Sequence, residues 1–252
     1  MDSTVPASPS RTTRLLPTLQ LSGRWQMAMD RWLLDQGQPA LRLYRWQQPC
    51  LSLGRHQKQV PAHWLEWAAS GRLELVRRPS GGGAVLHGGD LSYCLIWPGA
   101  PVDRAAAYRQ ACSWLQRAFA SLGLPLVFGD QPAGLAPRNC FATSSAADLV
   151  HVPPTATGAA KRIGSAQFWQ GGRLLQHGSI QLEPDGTWWR ELFGTPPPPL
   201  PSLPCDETFL EELLLEAAAG ALPELELPPL GLQPLSRDER RAIRARMESS
   251  QP

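Results

Sequence analysis

The sequence predicts an α+β fold, with a largely antiparallel sheet core and flanking helices. Two observations support this prediction. Strand-like and helix-like segments follow one another without a regular βαβ rhythm, and no Gly-x-Gly-x-x-Gly motif follows a first strand. At 252 residues, 42% of them hydrophobic, the chain has enough apolar material for one large domain.

Apolar residues at helical spacing predict the helices. In the first, residues 21–36, Met29, Trp32 and Leu33 are among the residues near a 3.6-residue period. Glycine follows several of these segments and ends them. Further helices are expected over residues 64–70, 105–122 and 206–222, and a charged one over residues 236–247.

Short runs rich in branched and aromatic residues predict the strands. Residues 163–169 and 173–182 are expected to form a hairpin around a Gln-Gly-Gly turn. Two other pairs are also expected to be joined by tight turns, namely 41–46 with 50–53 and 84–86 with 91–97. Single strands are expected at 73–78 and 124–128.

Composition divides the chain into three parts. We expect a disordered N-terminal tail over residues 1–20, a catalytic domain over residues 21–200 and a helical, proline-rich extension over residues 201–252. The tail lacks the apolar centre of a secretory signal, and no apolar run approaches the roughly 20 residues that span a bilayer.

Net charge and the positions of cysteine and histidine indicate which partners and sites are not expected. A net charge of +2 gives no reason to expect nucleic acid or a membrane as partner. The five cysteines form no Cys-x-x-Cys pair and the five histidines no His-Glu-x-x-His motif. We therefore expect no metal site and a reducing, cytoplasmic location.

The first segment that could carry chemistry surrounds a glycine triplet. Three glycines let a ligand lie against the backbone, whose N–H groups can hold an anion or a carbonyl oxygen, and two arginines precede them. A glycine triplet alone is more often a mobile turn. The candidate binding residues are Arg77, Arg78, Ser80, Gly81, Gly82, Gly83, Ala84 and His87.

The second segment is the predicted hairpin at 163–182. Small and polar residues interrupt both of its strands, which indicates a sheet face that lines a cavity. An isolated lysine such as Lys161 is more often a strand-edge lysine in solvent, and His177 is as readily a structural histidine as a catalytic one. The candidates are Lys161, Gly164, Ser165, Ala166, Gln176, His177 and Gly178.

The third segment contains Cys140, which lies outside any periodic apolar pattern. Arg138 could lower the pKa of its thiol, and a thiolate in such a site is a nucleophile. By contrast, Cys50, Cys94 and Cys112 lie within apolar patterns typical of core cysteines.

In this order, the segments resemble motifs of the lipoate-protein ligase A and octanoyltransferase families, within the biotin/lipoate protein ligase superfamily. Residues 23–30 resemble the opening helix, residues 76–93 the most diagnostic motif, and residues 161–180 the last one. The resemblance covers roughly residues 21–193 and implies the superfamily's catalytic-domain fold.

The Cys140-Phe141 pair, with Gln176 before His177, resembles the octanoyltransferases that work through a cysteine thioester. The resemblance implies Cys140 as nucleophile, Lys161 beside it, and an acyl tunnel between the glycine triplet with His87 and a wall at 164–166. It also implies octanoyl-acyl carrier protein as donor and no cofactor. The acceptors would be lipoyl domains, such as the glycine-cleavage H protein or a 2-oxoacid dehydrogenase E2.

Three alternatives remain open at this point. An ATP-dependent lipoate-protein ligase would use the same cavity with Mg²⁺ and without Cys140. An amidotransferase would move octanoyl between two lipoyl domains. A protein that only binds a ligand on this fold is the third, because fold does not fix function.

Overall fold

The computed structural model describes residues 11–129, 148–151 and 160–249. Its main feature is an eight-stranded sheet with the order β11-β1-β2-β6-β10-β9-β8-β7. Its strands are β1 (Thr13–Leu21), β2 (Ala40–Trp46), β6 (Asp90–Pro98), β7 (Leu126–Phe128), β8 (Leu149–His151), β9 (Lys161–Gln170), β10 (Arg173–Gln181) and β11 (Leu230–Leu232).

Every neighbouring pair from β2 to β7 is antiparallel, whereas β1 is parallel to both β2 and β11. The predicted α+β class with a largely antiparallel sheet is confirmed. A second, three-stranded sheet has the order β4-β3-β5 and consists of β3 (Cys50–Leu53), β4 (Glu74–Arg77) and β5 (Val85–His87).

Helices cover both faces of the large sheet. On one face lie α1 (Gly23–Gln36) and α6 (Arg237–Ser249), and on the other α3 (Arg104–Ser121) and α5 (Glu207–Ala221), which a 3-10 helix (Leu222–Leu225) extends. The helices α2 (Ala62–Ala69) and α4 (Gly186–Phe193) pack with the small sheet.

Strand alternation sends each side chain of β6 to one face. Tyr93 and Leu95 pack in the cluster with α3 and α5, whereas Cys94 and Ile96 pack in the cluster with α1. The face with α1 is called here the α1 face, and the other the α3 face.

Capping residues in the sequence set both ends of the helix α1. The Ser22 side chain accepts a hydrogen bond from the Trp25 N–H, and Gly37 ends the helix with φ of 70°. Such a cap and a left-handed glycine are the standard helix start and stop. The predicted start at residue 21 is therefore two residues early.

The predicted hairpin at 163–182 is confirmed as β9 and β10. Gly171 and Gly172 occupy its turn with φ of 56° and 73°. Two successive positive φ values match the tight turns that suit the twist of antiparallel strands, and glycine adopts them without strain.

The predicted hairpin of 84–86 with 91–97 is wrong, and the strands at 41–46 and 50–53 are joined by the expected turn but do not pair with each other. β2 and β3 lie in different sheets, as do β5 and β6. The connection at Pro49 and the glycines at 88–89 turn the chain out of one sheet and into the other, and β3 pairs with β4 and β5 instead. Local patterns located these strands but could not identify their partners.

The expected disordered tail over residues 1–20 is wrong from Thr13 onward. β1 pairs with β2 along Arg14–Leu21, so these residues belong to the large sheet. The described part of the extension, residues 201–249, contains helices, but it is part of the same body. β11 joins β1, α5 packs against α3 and α6 packs against α1.

Within the described residues, no helix has both the length and the apolarity that crossing a bilayer requires.

A substitution in α5 tests whether the extension is integral to the fold. Leu214 is fully buried in the core on the α3 face. We expect Leu214→Ala to lower the free energy of unfolding by about 2–5 kcal/mol, because it removes buried methyl groups and leaves a cavity. Urea denaturation measures this difference.

The matched control is Leu65→Ala, since Leu65 is 51% exposed on α2. It should change the free energy of unfolding by no more than about 0.5 kcal/mol. Equal effects of the two substitutions would show that α5 contributes nothing to the core.

Candidate active site

Lys161 is a buried cation with a carboxylate partner. It is the first residue of β9, and its Nζ lies 2.9 Å from Oδ2 of Asp148, the residue before β8. The exposed fractions of the two side chains are 5% and 6%. Burying an ammonium group is costly unless it is paired, and Asp148 supplies the partner. Lys161 is therefore not a strand-edge lysine in solvent.

Cys140 and its neighbours Arg138, Asn139 and Phe141 lie outside the described residues. Asp148 is the first residue described after that segment, at the point where the chain enters β8.

A buried hydrogen-bond chain connects His177 to the glycine triplet. Nδ1 of His177 lies 2.8 Å from Oδ2 of Asp30, and Nε2 lies 2.6 Å from Oγ of Ser80. Because a carboxylate only accepts, Nδ1 donates to Asp30, and in the neutral ring Nε2 accepts from the Ser80 hydroxyl. Ser80 is 1% exposed, so this bond fixes the start of the glycine triplet.

Arg42 secures Asp30 from the other side. Its Nε and Nη2 donate to Oδ1 of Asp30 at 2.9 and 2.5 Å, and its Nη1 donates to the side chain of Gln26 at 2.6 Å. Burial by itself would raise the pKa of Asp30, but Arg42 and His177 outweigh it and lower the pKa below its usual value.

A second chain of the same type runs from Ser52 through His87 to Asp90. Nε2 of His87 lies 2.8 Å from Oγ of Ser52, and Nδ1 lies 2.8 Å from Oδ2 of Asp90. Ser179 donates to the same carboxylate at 2.6 Å. The ring of Trp46 stacks on His87 with centroids 3.9 Å apart. His87 therefore has a fixed orientation.

Both predicted arginines donate to backbone carbonyl groups. Arg78 is buried, and its guanidinium donates to the carbonyl groups of Ser52, Gly81 and Gly83 at 2.7–2.8 Å. Arg77 is exposed and donates to the carbonyl groups of Gly54 and Gln57. A Cβ at Gly54 would collide with the carbonyl oxygen of Gly82, so glycine is required for this close approach. The loop of residues 80–84 is thus built into the fold.

Strand β9 provides a partly open wall on the α1 face. Gly164 pairs with Ser179, and Ala166 pairs with His177, so both face the same side as the two histidine chains. Both residues are half-buried, and both lie beyond Ile163, where the described pairing of β9 with β8 ends. Small side chains in mid-sheet leave room for a ligand against this wall.

Three predicted residues lie on the α3 face instead. Gln176 donates to the hydroxyl of Tyr93 at 3.0 Å and contacts Sγ of Cys112 at 3.3 Å, and Ser165 lies 2.7 Å from the same hydroxyl. A Cβ at Gly178 would lie 2.5 Å from Cε1 of Tyr93. Ser165, Gln176 and Gly178 therefore form a separate buried cluster, because neighbouring residues of a strand point to opposite faces.

The core cysteines are placed as the sequence indicates. Cys50, Cys94 and Cys112 are all buried. Burial raises the pKa of the Cys112 thiol to about 11, and raises those of Cys50 and Cys94 well above their usual value. Such thiols remain protonated at neutral pH and are poor nucleophiles.

Sequence reasoning missed the partners of the candidate residues. Each of the two histidines and the lysine has a buried acidic partner, and only Asp90 lies near its partner in sequence. The Arg42 side chain, which interrupts an apolar strand, was a signal for a buried ion pair. The missed residues are Asp30, Arg42, Ser52, Asp90 and Asp148.

Among the described residues, no group of three or more His, Cys, Asp or Glu side chains is placed to hold a metal ion.

The lowered pKa of Asp30 predicts a pH dependence of stability. Since its folded pKa lies below the unfolded value of about 4, the unfolded chain binds the proton more readily. The stability from Asp30 is therefore complete above about pH 4 and is lost as the pH falls further. We expect a steeper acid loss of the free energy of unfolding in the wild type than in Asp30→Asn, measured by urea denaturation.

The control is Asp103→Asn at the exposed N-cap of α3, where asparagine caps about as well as aspartate. It should keep the wild-type dependence on pH. An Asp30→Asn variant with an unchanged acid slope would contradict the assignment.

Comparison with known proteins identifies the family. The model of the lipoyl protein ligase A/B catalytic domain matches residues 22–199. Octanoyltransferase LipM of Kyrpidia tusciae is 35% identical over 186 residues, which cover 69% of this chain and 68% of that protein. LipM of Halalkalibacterium halodurans is 33% identical over 202 residues, which cover 73% and 71%.

A solved structure shares the fold. Lipoate-protein ligase A bound with ATP aligns over 95% of this chain and 97% of its own, with a TM-score of 0.73 and 18% identity. The predicted superfamily is confirmed: the chain belongs to the lipoyl protein ligase A/B family and is an acyltransferase of its octanoyltransferase group.

Proposed function

We propose that this chain transfers octanoyl from acyl carrier protein to a lysine of a lipoyl domain, through a thioester on Cys140. The observation that carries the proposal is the buried Lys161–Asp148 pair, at the start of the strand β9 that also carries Gly164 and Ala166. A buried cation in an acyl-transfer site favours a thiolate nucleophile and stabilises the oxyanion that forms on the acyl carbonyl group.

The first half-reaction forms the acyl-enzyme. The Cys140 thiolate attacks the carbonyl carbon of the octanoyl thioester, the bond from that carbon to the carrier sulfur breaks, and the carrier thiolate leaves and takes up a proton. One thioester replaces another, so this step needs neither ATP nor Mg²⁺.

The second half-reaction forms the product. The neutral amine of the acceptor lysine attacks the acyl carbon, an amide bond forms, and the bond from that carbon to Sγ of Cys140 breaks. The released thiolate takes up the proton that the amine loses, which restores the thiol. Amides are more stable than thioesters, so the transfer is downhill. Lys161 stabilises the oxyanion in both steps, and Asp148 holds it in position.

The glycine triplet and the wall at Gly164 and Ala166 supply the acyl site in this proposal. Arg78, Ser80 and His87 hold the triplet through buried hydrogen bonds, so the site is formed before the substrate arrives. Burial contributes about 0.8 kcal/mol for each methylene group, which is enough to select for chain length. The described cysteines are free thiols, which fits a reaction in the cytoplasm.

The first experiment tests the nucleophile. Incubation with octanoyl-acyl carrier protein, without ATP, should add one octanoyl group to the wild-type protein in intact-mass spectra, and hydroxylamine should remove it. Cys140→Ser should lack this labile adduct, because the thiol that forms the thioester is absent.

The control is Cys205→Ser, a substitution of a partly exposed cysteine, which should keep the adduct. Lipoylation of an acceptor domain only with lipoate, ATP and Mg²⁺, and equally in Cys140→Ser, would make the protein a ligase. A full-rate Cys140→Ala variant would also overturn the thioester mechanism.

The second experiment tests Lys161. We expect Lys161→Met to slow acyl-enzyme formation by about 100-fold or more, because the cation that stabilises the oxyanion is lost. The pH midpoint of Cys140 alkylation by iodoacetamide should also move upward, because the thiolate loses a neighbouring cation.

The control is Lys58→Met, at an exposed position in the loop after β3, which should change neither quantity. A Lys161→Met variant with normal acylation and an unchanged alkylation midpoint would remove Lys161 from the mechanism.

A further inference from the structure

A groove of about 860 Å³ runs between α1, α6 and the segment at 75–79, on the outside of the α1 face. Its apolar lining includes Met27 and Trp32 from α1 and Met247 from α6. The helix α6 lies beyond residue 199, where the match to the family model ends. One wall of the groove is therefore built from the chain's own C-terminal extension.

Arginine is the only charged residue type that lines this groove among the described residues. Of the lining arginines, Arg246 pairs with Asp35, and Arg77 and Arg78 donate to carbonyl groups. Arg24, Arg31 and Arg55 have no carboxylate partner in the part of the chain that the structure describes, and Arg24 and Arg55 are exposed. Several unneutralised cations around an apolar floor form a surface that attracts anionic groups.

The groove connects with the proposed acyl site at Phe168. The guanidinium groups of Arg31 and Arg55 lie 5.5 and 5.1 Å from the ring centroid of this residue. Phe168 lies on β9, two residues after Ala166 and on the same face. Arg78 and Pro79, which line the groove, lead directly to Ser80 and the glycine triplet.

We propose that this groove is the docking site for the acidic protein that carries the acyl thioester, and that an amphipathic acidic helix of that protein lies along the groove, against α1, α6 and the segment at 75–79. The inference rests on the proposed function for the identity of its partner. An acidic helix face meets the arginine rim, and its apolar side chains meet the more exposed apolar residues of the lining, which are Leu75, Ala242, Ala245 and Met247. A small phosphate group alone would leave the apolar floor exposed to water.

Docking here brings the thioester close to its site. A carrier seated in the groove has its prosthetic arm beside Phe168, from where the arm passes along the wall of β9 towards Ala166 and Gly164. The arginines then increase the rate of encounter and make it dependent on salt, as charged interface rims do.

The experiment measures binding of the carrier protein without turnover. Fluorescein-labelled apo-acyl carrier protein, which lacks the arm and the acyl group, is titrated with wild type and with Arg24→Gln/Arg55→Gln. We expect Kd to rise by about 3- to 10-fold in the variant, and its dependence on salt to weaken, because two exposed rim cations are lost.

The matched control is Arg240→Gln/Arg244→Gln, which removes the same charge from exposed positions of α6 outside the groove lining. This control should keep the wild-type Kd. Equal weakening in both variants, no weakening in either, or no binding of the apo-carrier by the wild type would overturn the docking site.

Activity with a small donor separates docking from chemistry. Octanoyl-pantetheine carries neither protein nor phosphate, so the groove variant should use it at the wild-type rate. A matching loss with this donor would show that the arginines shape the acyl site instead. If no thioester donor is used by the wild type, the proposed function fails, while the binding titration still decides the docking site.

Discussion

The buried guanidinium of Arg42 is the constraint on which the functional region depends. Its side chain is 1% exposed, and its donors meet the carboxylate of Asp30 and both oxygens of Gln26. A charge in the interior is tolerated only with such complete pairing. Asp30 and Gln26 lie on α1 and Arg42 on β2, so the pairing fixes the helix to the sheet at one register. His177 and Ser80 then take their positions from the same carboxylate.

The two hydrogen-bond chains through His177 and His87 share no residue, but both stabilise the same loop. One reaches the loop of residues 80–84 through Ser80, and the other reaches it through Ser52 and Arg78. Hydrolases also contain a serine, a histidine and an aspartate linked by hydrogen bonds. Here both serines are buried and hold a backbone loop instead. The same side-chain chemistry that activates a nucleophile elsewhere gives this loop its rigidity.

The sequence predicted the fold class, most helices and the β9–β10 hairpin, because these depend on local periodicity and turn chemistry. It predicted the wrong partner for β5, because pairing is decided by long-range contacts that a local pattern does not contain. The ordered motifs identified the candidate loop and Lys161. They did not separate His177 from Gln176, whose side chains point to opposite faces of the sheet. The acidic partners were missed because a lone aspartate in a helix, loop or strand end carries no local signal of burial.

The two ends of the described chain meet in the large sheet. Thr13 pairs with Leu230 in the β1–β11 ladder, and Arg14 forms an ion pair with Glu239 on α6. Contacts that span more than two hundred residues form late, because closing so long a loop costs conformational entropy. During synthesis, the outer edge of β1 and the outer side of α1 therefore stay uncovered until the segment that forms β11 and α6 has left the ribosome. Until then, the unpaired N–H and C=O groups of β1 form an open strand edge, which can pair with another chain.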